Sequence, residues 1–261
     1  TIQSASGKSR STFLAKYTTI VNNQRQFLTT AELQTVDTTT YNNISAAMSS
    51  YIQSIPSSKR KSLSYYTLKD IRLKLGSGVG SLGRYRYYLL IEGDTTSTND
   101  DIILEMKQEL SSAVAIAAPE KMPYYTYNNH HGQRVTMTMK AMLNNADDLV
   151  GYTTVGNNQF FIREKSPYSE DFDYTLLTSY DKFNTAVDYF GKIVAKNHAL
   201  ADQDYDASLI SYSEDKQITD VVTSKSGFKT EILNFALDYA NQVELDYNSF
   251  YTAYNSGTPL Y

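Results

Sequence analysis

The chain has no cysteine and no tryptophan, and only three histidines and five prolines. Without cysteine there is no disulfide, no thiolate metal site and no cysteine nucleophile. Three histidines are too few for a histidine-rich metal centre. No stretch reaches the ~18 apolar residues that mark a transmembrane helix, so no membrane partner is expected. Basic charge is also scarce: 24 Lys and Arg stand against 28 Asp and Glu, a formal net charge of -4. That balance argues against nucleic acid as a partner, while leaving room for a local basic pocket. No secretory leader is visible, which favours the cytoplasm as the expected compartment. The chain starts at Thr1 rather than Met, and this suggests a processed or truncated product.

What the chain does have is length and a glycine-rich turn. Its 261 residues can bury a sizeable core. Between Leu73 and Gly93, a strand-like segment leads into Gly78-Val79-Gly80-Ser81-Leu82-Gly83, then Arg84-Tyr85-Arg86-Tyr87-Tyr88-Leu89-Leu90-Ile91. The spacing of Gly78, Gly80 and Gly83 is G-x-G-x-x-G, which serves two phosphate-binding architectures and also ordinary turns. A dinucleotide fold needs a helix after the glycines. Aromatic and branched residues follow instead, and they predict a strand. Strand, glycine turn, strand and then a lysine-bearing strand, Ile102 to Glu109 with Lys107, is the order of a kinase-type nucleotide lobe. The alternative is a glycine-rich hairpin without a ligand, with Lys107 facing outward.

Apolar spacing predicts a helix from Ser11 to about Asn22 and another over Thr38 to Ile55, stopped by Pro56. Strands are expected at Tyr65 to Leu75, Leu149 to Val155 and Gln159 to Glu164, the last two joined through Gly156-Asn157-Asn158. Leu110 to Ala118 and Gly132 to Asn145 read as helices, as do Tyr180 to Ala201 and Phe228 to Tyr254, the last two as core-packing elements. The expected class is therefore α+β, with a five-stranded antiparallel sheet and helices on one side of it. Residues 1–64 would form an N-terminal helical segment, 65–165 the glycine-turn lobe and 166–261 a helical C-terminal portion, all in one compact unit.

Several short motifs occur in fixed order: the glycine turn, Leu104-Glu105-Met106-Lys107-Gln108-Glu109, His131-Gly132-Gln133-Arg134-Val135, Phe160-Phe161-Ile162-Arg163-Glu164 and Ala195-Lys196-Asn197-His198-Ala199. So does Phe235-Ala236-Leu237-Asp238-Tyr239-Ala240-Asn241-Gln242. Together they resemble, from about Lys69 onward, the C-terminal part of the bacterial family called domain of unknown function 2252. That family is similar to aminoglycoside-phosphotransferase-like kinases with their order permuted. The resemblance implies ATP and Mg²⁺ as cofactors. It also implies a metal-binding half, carrying Gly-Asp-x-His and Asn-Asp-Phe-Asp segments, that would precede this chain.

The candidate binding residues are then Gly78, Gly80, Gly83, Lys107 and Arg134, the last read as contacting phosphate or pairing with Glu109. A kinase-type helix would supply an acid for Lys107, but Gly132 to Asn145 contains none. Arg163 and Glu164 read as a surface pair. Asp202-Gln203-Asp204-Tyr205-Asp206 alternates carboxylates, which makes Asp202 and Asp204 candidate metal ligands, against the plainer reading of an acidic helix exit. His198 just upstream is either a site residue or a hydrogen-bonded core histidine. Two functions stand: an ATP-binding phosphotransferase module, catalytic only with the preceding half, or a non-catalytic α+β domain that binds a ligand or a protein.

Overall fold

The computed structural model describes residues 7–259. The start at Thr1 therefore lies outside the described residues. Helix α1 (Arg10–Tyr17) is capped by Ser9, whose hydroxyl accepts from the Thr12 amide. The helix expected to run to Asn22 stops at Tyr17. Thr18, Thr19, Ile20 and Val21 are all β-branched and stiff at χ1, so they extend instead. They form β1 (Thr18–Val21), which pairs with β2 (Gln24–Phe27) through Asn22 and Asn23, at φ of 50° and 61°. Two asparagines at positive φ match the right-handed strand twist that a two-residue hairpin needs.

A six-stranded antiparallel sheet replaces the five strands expected. Its order is β3-β4-β5-β6-β8-β7, with β3 Leu33–Thr35, β4 Leu68–Lys74, β5 Arg86–Ile91, β6 Ile102–Gln108, β7 Gly151–Val155 and β8 Asn158–Glu164. The added edge strand β3 has only three residues, too few for alternation to be legible. Helix α2 (Thr38–Ser54), capped by Asp37, buries Ile44, Met48 and Tyr51 against one sheet face. That face presents Ile71, Tyr87, Leu89, Leu104, Met106, Phe160 and Ile162. The Tyr51 hydroxyl donates to the Leu149 carbonyl at 2.7 Å. Leu89 and Ile91 are fully enclosed, and burial of such side chains contributes ~1.5–3 kcal/mol each.

The opposite face is covered as well, which corrects the expectation of helices on one side. At one end Tyr88, Leu90 and Ile103 pack with Leu14 of α1, Phe27 of β2 and Leu33. A buried ionic cluster pins the hairpin there: Asp101, fully buried, meets Lys69 at 2.6 Å and Arg25 at 3.3 Å. Past the short helix α3 (Ala113–Ala117), helix α4 (His131–Met142) packs on β8 and β7 over the other end.

The C-terminal portion comprises α5 (Tyr180–Leu200), α6 (Gln203–Asp206), α7 (Glu214–Ser224) and α8 (Phe228–Asn255). Helix α5 touches α4 and α7. The expectation that α5 and α8 pack in a core is not met: neither has a buried residue, and Phe183 and Phe235 are 52% and 63% exposed. Periodicity reports an apolar stripe on a helix, not whether anything covers it.

Candidate functional site

Strand alternation sets the site. In β5, β6 and β8 the residues with Leu89 and Leu104 point into the α2 core, so their neighbours face the other way. Near the glycine turn those neighbours are Arg86, Glu105, Lys107, Phe161 and Arg163. With Arg134, Val135, Thr138, Met139, Met142 and Leu143 of the α4 region and Asn197 of α5, they line a cleft of about 490 Å³. That is within the range of small-ligand pockets.

The position of α4 is fixed by close backbone contact. A Cβ on Gly132 would lie 2.2 Å from the Phe160 carbonyl oxygen, so only glycine lets the helix start seat on β8. His130 caps the helix, its Nδ1 accepting from the Gln133 amide at 3.0 Å. Its Nε2 then carries the proton and donates to Thr154 Oγ1 at 2.9 Å. Burial holds His130 below its ordinary pKa, in keeping with a neutral ring. Thr136 Oγ1 donates to the Gly151 carbonyl at 3.0 Å and ties the next turn to β7. Arg134, two residues past Gly132, is thereby carried to the cleft, where Nη2 donates to the Leu110 carbonyl at 3.0 Å and Nε has no partner.

The floor of the cleft is ionic. Glu105 is 3% exposed and is clasped from both neighbouring strands. Arg86 Nη1 donates to Oε1 at 2.6 Å, and Arg163 Nε and Nη2 donate to Oε2 at 3.1 and 2.9 Å. Burial alone would raise the Glu105 pKa, but the two guanidinium groups outweigh it and hold it below the usual carboxylate value. Arg163 is therefore not paired with Glu164, which bonds Arg10 at 2.8 Å instead. Lys107 lies 3.2 Å from Glu109, one residue past the end of β6, and the Lys107 side chain keeps 32% of its surface exposed. Arg86 and Lys107 stand directly opposite each other in the β5–β6 register. Like charges in that position repel. Four cationic side chains, Arg86, Lys107, Arg134 and Arg163, thus share the cleft with two carboxylates, an excess of two positive charges on a chain that is acidic overall.

The glycines border this cleft without lining it. Gly83 takes φ 69°, and residues 79–81 form a 3₁₀ turn. Around Gly78 and Gly80 an added Cβ would meet nothing within 4 Å, so the chain's own packing does not demand glycine there. The turn reaches the cleft through Ser81, whose Oγ accepts from Arg86 Nη2 at 3.0 Å. Sequence reasoning found Lys107 and Arg134 but passed over Arg86 and Glu105, and read Arg163 only as a surface partner of Glu164. Glu105, a charge inside an apolar strand two residues before Lys107, carried the same signal as the lysine.

Asp202 and Asp204 do not line the cleft. Asp202 is 4% exposed, and its oxygens accept from the amides of Asp204, Glu214 and Asp215, so it caps α6 and ties it to α7. These amides hold its pKa below the ordinary carboxylate value. His198 Nδ1 lies 3.4 Å from Glu214 at the same junction. Among the described residues, no group of three His, Asp or Glu side chains is placed to hold a metal ion. Nor is any helix among them long and apolar enough to cross a membrane.

A family model described as an uncharacterized protein conserved in bacteria (DUF2252) matches residues 1–253, so the likeness extends over the N-terminal segment as well as the glycine-turn region. No curated protein and no solved structure matches the chain.

Proposed function

Because this chain belongs to the DUF2252 family of bacterial proteins, whose description names no activity, we propose its function from the cleft: a kinase-like lobe that binds the phosphates of a nucleotide such as ATP. The observation that carries this reading is the meeting of Lys107 and Arg134 with Arg86 in one cleft on the sheet. Opposed like charges such as Arg86 and Lys107 raise the energy of the empty site, and an anion between them would offset it. The order of elements supports the same reading. A glycine turn joins β4 to β5, the lysine is on β6, and α4 intervenes before the β7–β8 hairpin. Met139, Met142 and Phe161 provide an apolar flank for a base.

One observation favours binding without transfer in this chain. In a phosphotransferase of this type the strand lysine pairs with an acid on the helix, whereas Lys107 pairs with Glu109 and α4 presents Arg134. The chain's own residues hold and orient the phosphates: Lys107 as a point charge, Arg134 and Arg86 as planar donors. Thermal shift with ATP on the wild type, Lys107→Ala and Arg134→Ala tests the proposal. A rise in Tm for the wild type that both variants lose is expected; the absence of a rise in the wild type would end it.

A further inference from the structure

A nucleotide-binding lobe of kinase type would be expected to receive its ligand as a Mg²⁺ complex, with protein carboxylates completing the ion's coordination. The residues of this cleft do not fit that role. Its two carboxylates are both committed: Glu105 to Arg86 and Arg163, and Glu109 to Lys107. Glu105 is buried to 3% exposure beneath the arginines that hold it, so an ion could reach it only by breaking the clasp. Asp147, near the far end of α4, is committed as well, accepting from the amides of Leu149 and Glu164 at 2.9 and 2.8 Å. What the cleft offers instead is an excess of two positive charges, four cations against those two carboxylates. Arg134 and Arg86 each keep a buried Nε–H without a partner. A hydrated Mg²⁺ brought in with the phosphates would meet four cations and no spare carboxylate.

Resting on the nucleotide reading above, we propose that this cleft takes the metal-free polyphosphate anion in preference to its Mg²⁺ complex, the cationic side chains doing the neutralising that the ion does elsewhere. Each added Mg²⁺ cancels two of the ligand's negative charges, and with them the attraction that Lys107, Arg134 and Arg86 exert on it. The preference is therefore a property of the polyphosphate, and ATP and inorganic tripolyphosphate should both show it. If the flank formed by Met139, Met142 and Phe161 receives the base, ATP binds more tightly than tripolyphosphate.

The test is calorimetric titration of the full chain with ATP, and separately with tripolyphosphate, in EDTA and in excess Mg²⁺ at matched ionic strength. Affinity at least ~tenfold higher in EDTA is expected for both ligands, with the difference reduced in Lys107→Ala. Equal affinity in the two buffers, or tighter binding with Mg²⁺, overturns the inference while leaving nucleotide binding standing. No heat with either ligand in either buffer overturns the inference together with the nucleotide reading.

Discussion

Glu105→Gln separates charge from shape at the floor of the cleft. Glutamine keeps the volume and one acceptor oxygen but removes the negative charge that two guanidinium groups share at 2.6 to 3.1 Å. Glu105 is 3% exposed and Arg86 only partly exposed, so little water is at hand to replace the lost partner. Removing one member of a buried pair costs ~3–5 kcal/mol, because an uncompensated charge stays behind. Arg163 is 42% exposed and can turn to solvent, which places the expected loss near the lower end, at about 3 kcal/mol. At ~2–4 °C per kcal/mol for a chain of this size, Tm falls by roughly 6–12 °C. The pH dependence follows the same charge. The folded-state pKa of Glu105 lies below its ordinary value of 4.5, so its contribution is complete above that value and is lost as pH falls through the folded-state pKa. The wild type should therefore lose stability over that acid window more steeply than Glu105→Gln. Urea melts of both proteins across that range measure the effect. A loss under ~1 kcal/mol near neutral pH, with parallel acid limbs, would refute the clasp.

Further perturbations follow from the same geometry. Gly132→Ala puts a methyl group against the Phe160 carbonyl, and the displacement of α4 should cost ~1–3 kcal/mol and weaken anion binding. Gly78→Ala, which meets open space, should change stability by no more than ~1 kcal/mol; urea melts of the two variants check both figures, and equal losses would contradict them. His130 is held below 6.5 by burial while its unprotonated Nδ1 caps α4. The unfolded chain therefore binds that proton more readily, and wild-type stability should drop as pH falls below about 6.5. His130→Asn supplies a cap that does not titrate, so its melting curves should lack that drop; identical profiles for the two proteins would count against the capping role. Tyr51→Phe, which leaves the buried Leu149 carbonyl without its donor, should cost ~1–3 kcal/mol in urea melts.

Much of the sheet was legible because β5, β6 and β8 are long, branched and aromatic, and such runs have few alternatives. Helix α2 was legible to within a residue from its apolar spacing and Pro56, while its Asp37 cap was not read from the sequence. The β1–β2 hairpin was not, since Phe13, Leu14 and Tyr17 already fit a helix and the pattern carried on into β-branched residues. Lys107 and Arg134 could be read as candidates because each breaks a local rule. Their meeting could not be read, because it depends on Gly132 seating α4 against Phe160, a contact across 28 residues of sequence. Arg86 was invisible for a similar reason, and Arg163 was read only as half of a surface pair with Glu164. Each looks like an ordinary strand-end arginine until the register places both beside Glu105.

The most direct test is a calorimetric titration of ATP into the wild type and into Lys107→Ala/Arg134→Ala, in low salt without divalent ions. A saturable wild-type isotherm is expected, with affinity reduced at least ~100-fold in the double variant, about 2.8 kcal/mol for two charge-assisted contacts. Equal affinity in the two proteins would place the anion elsewhere and contradict the assignment of this cleft.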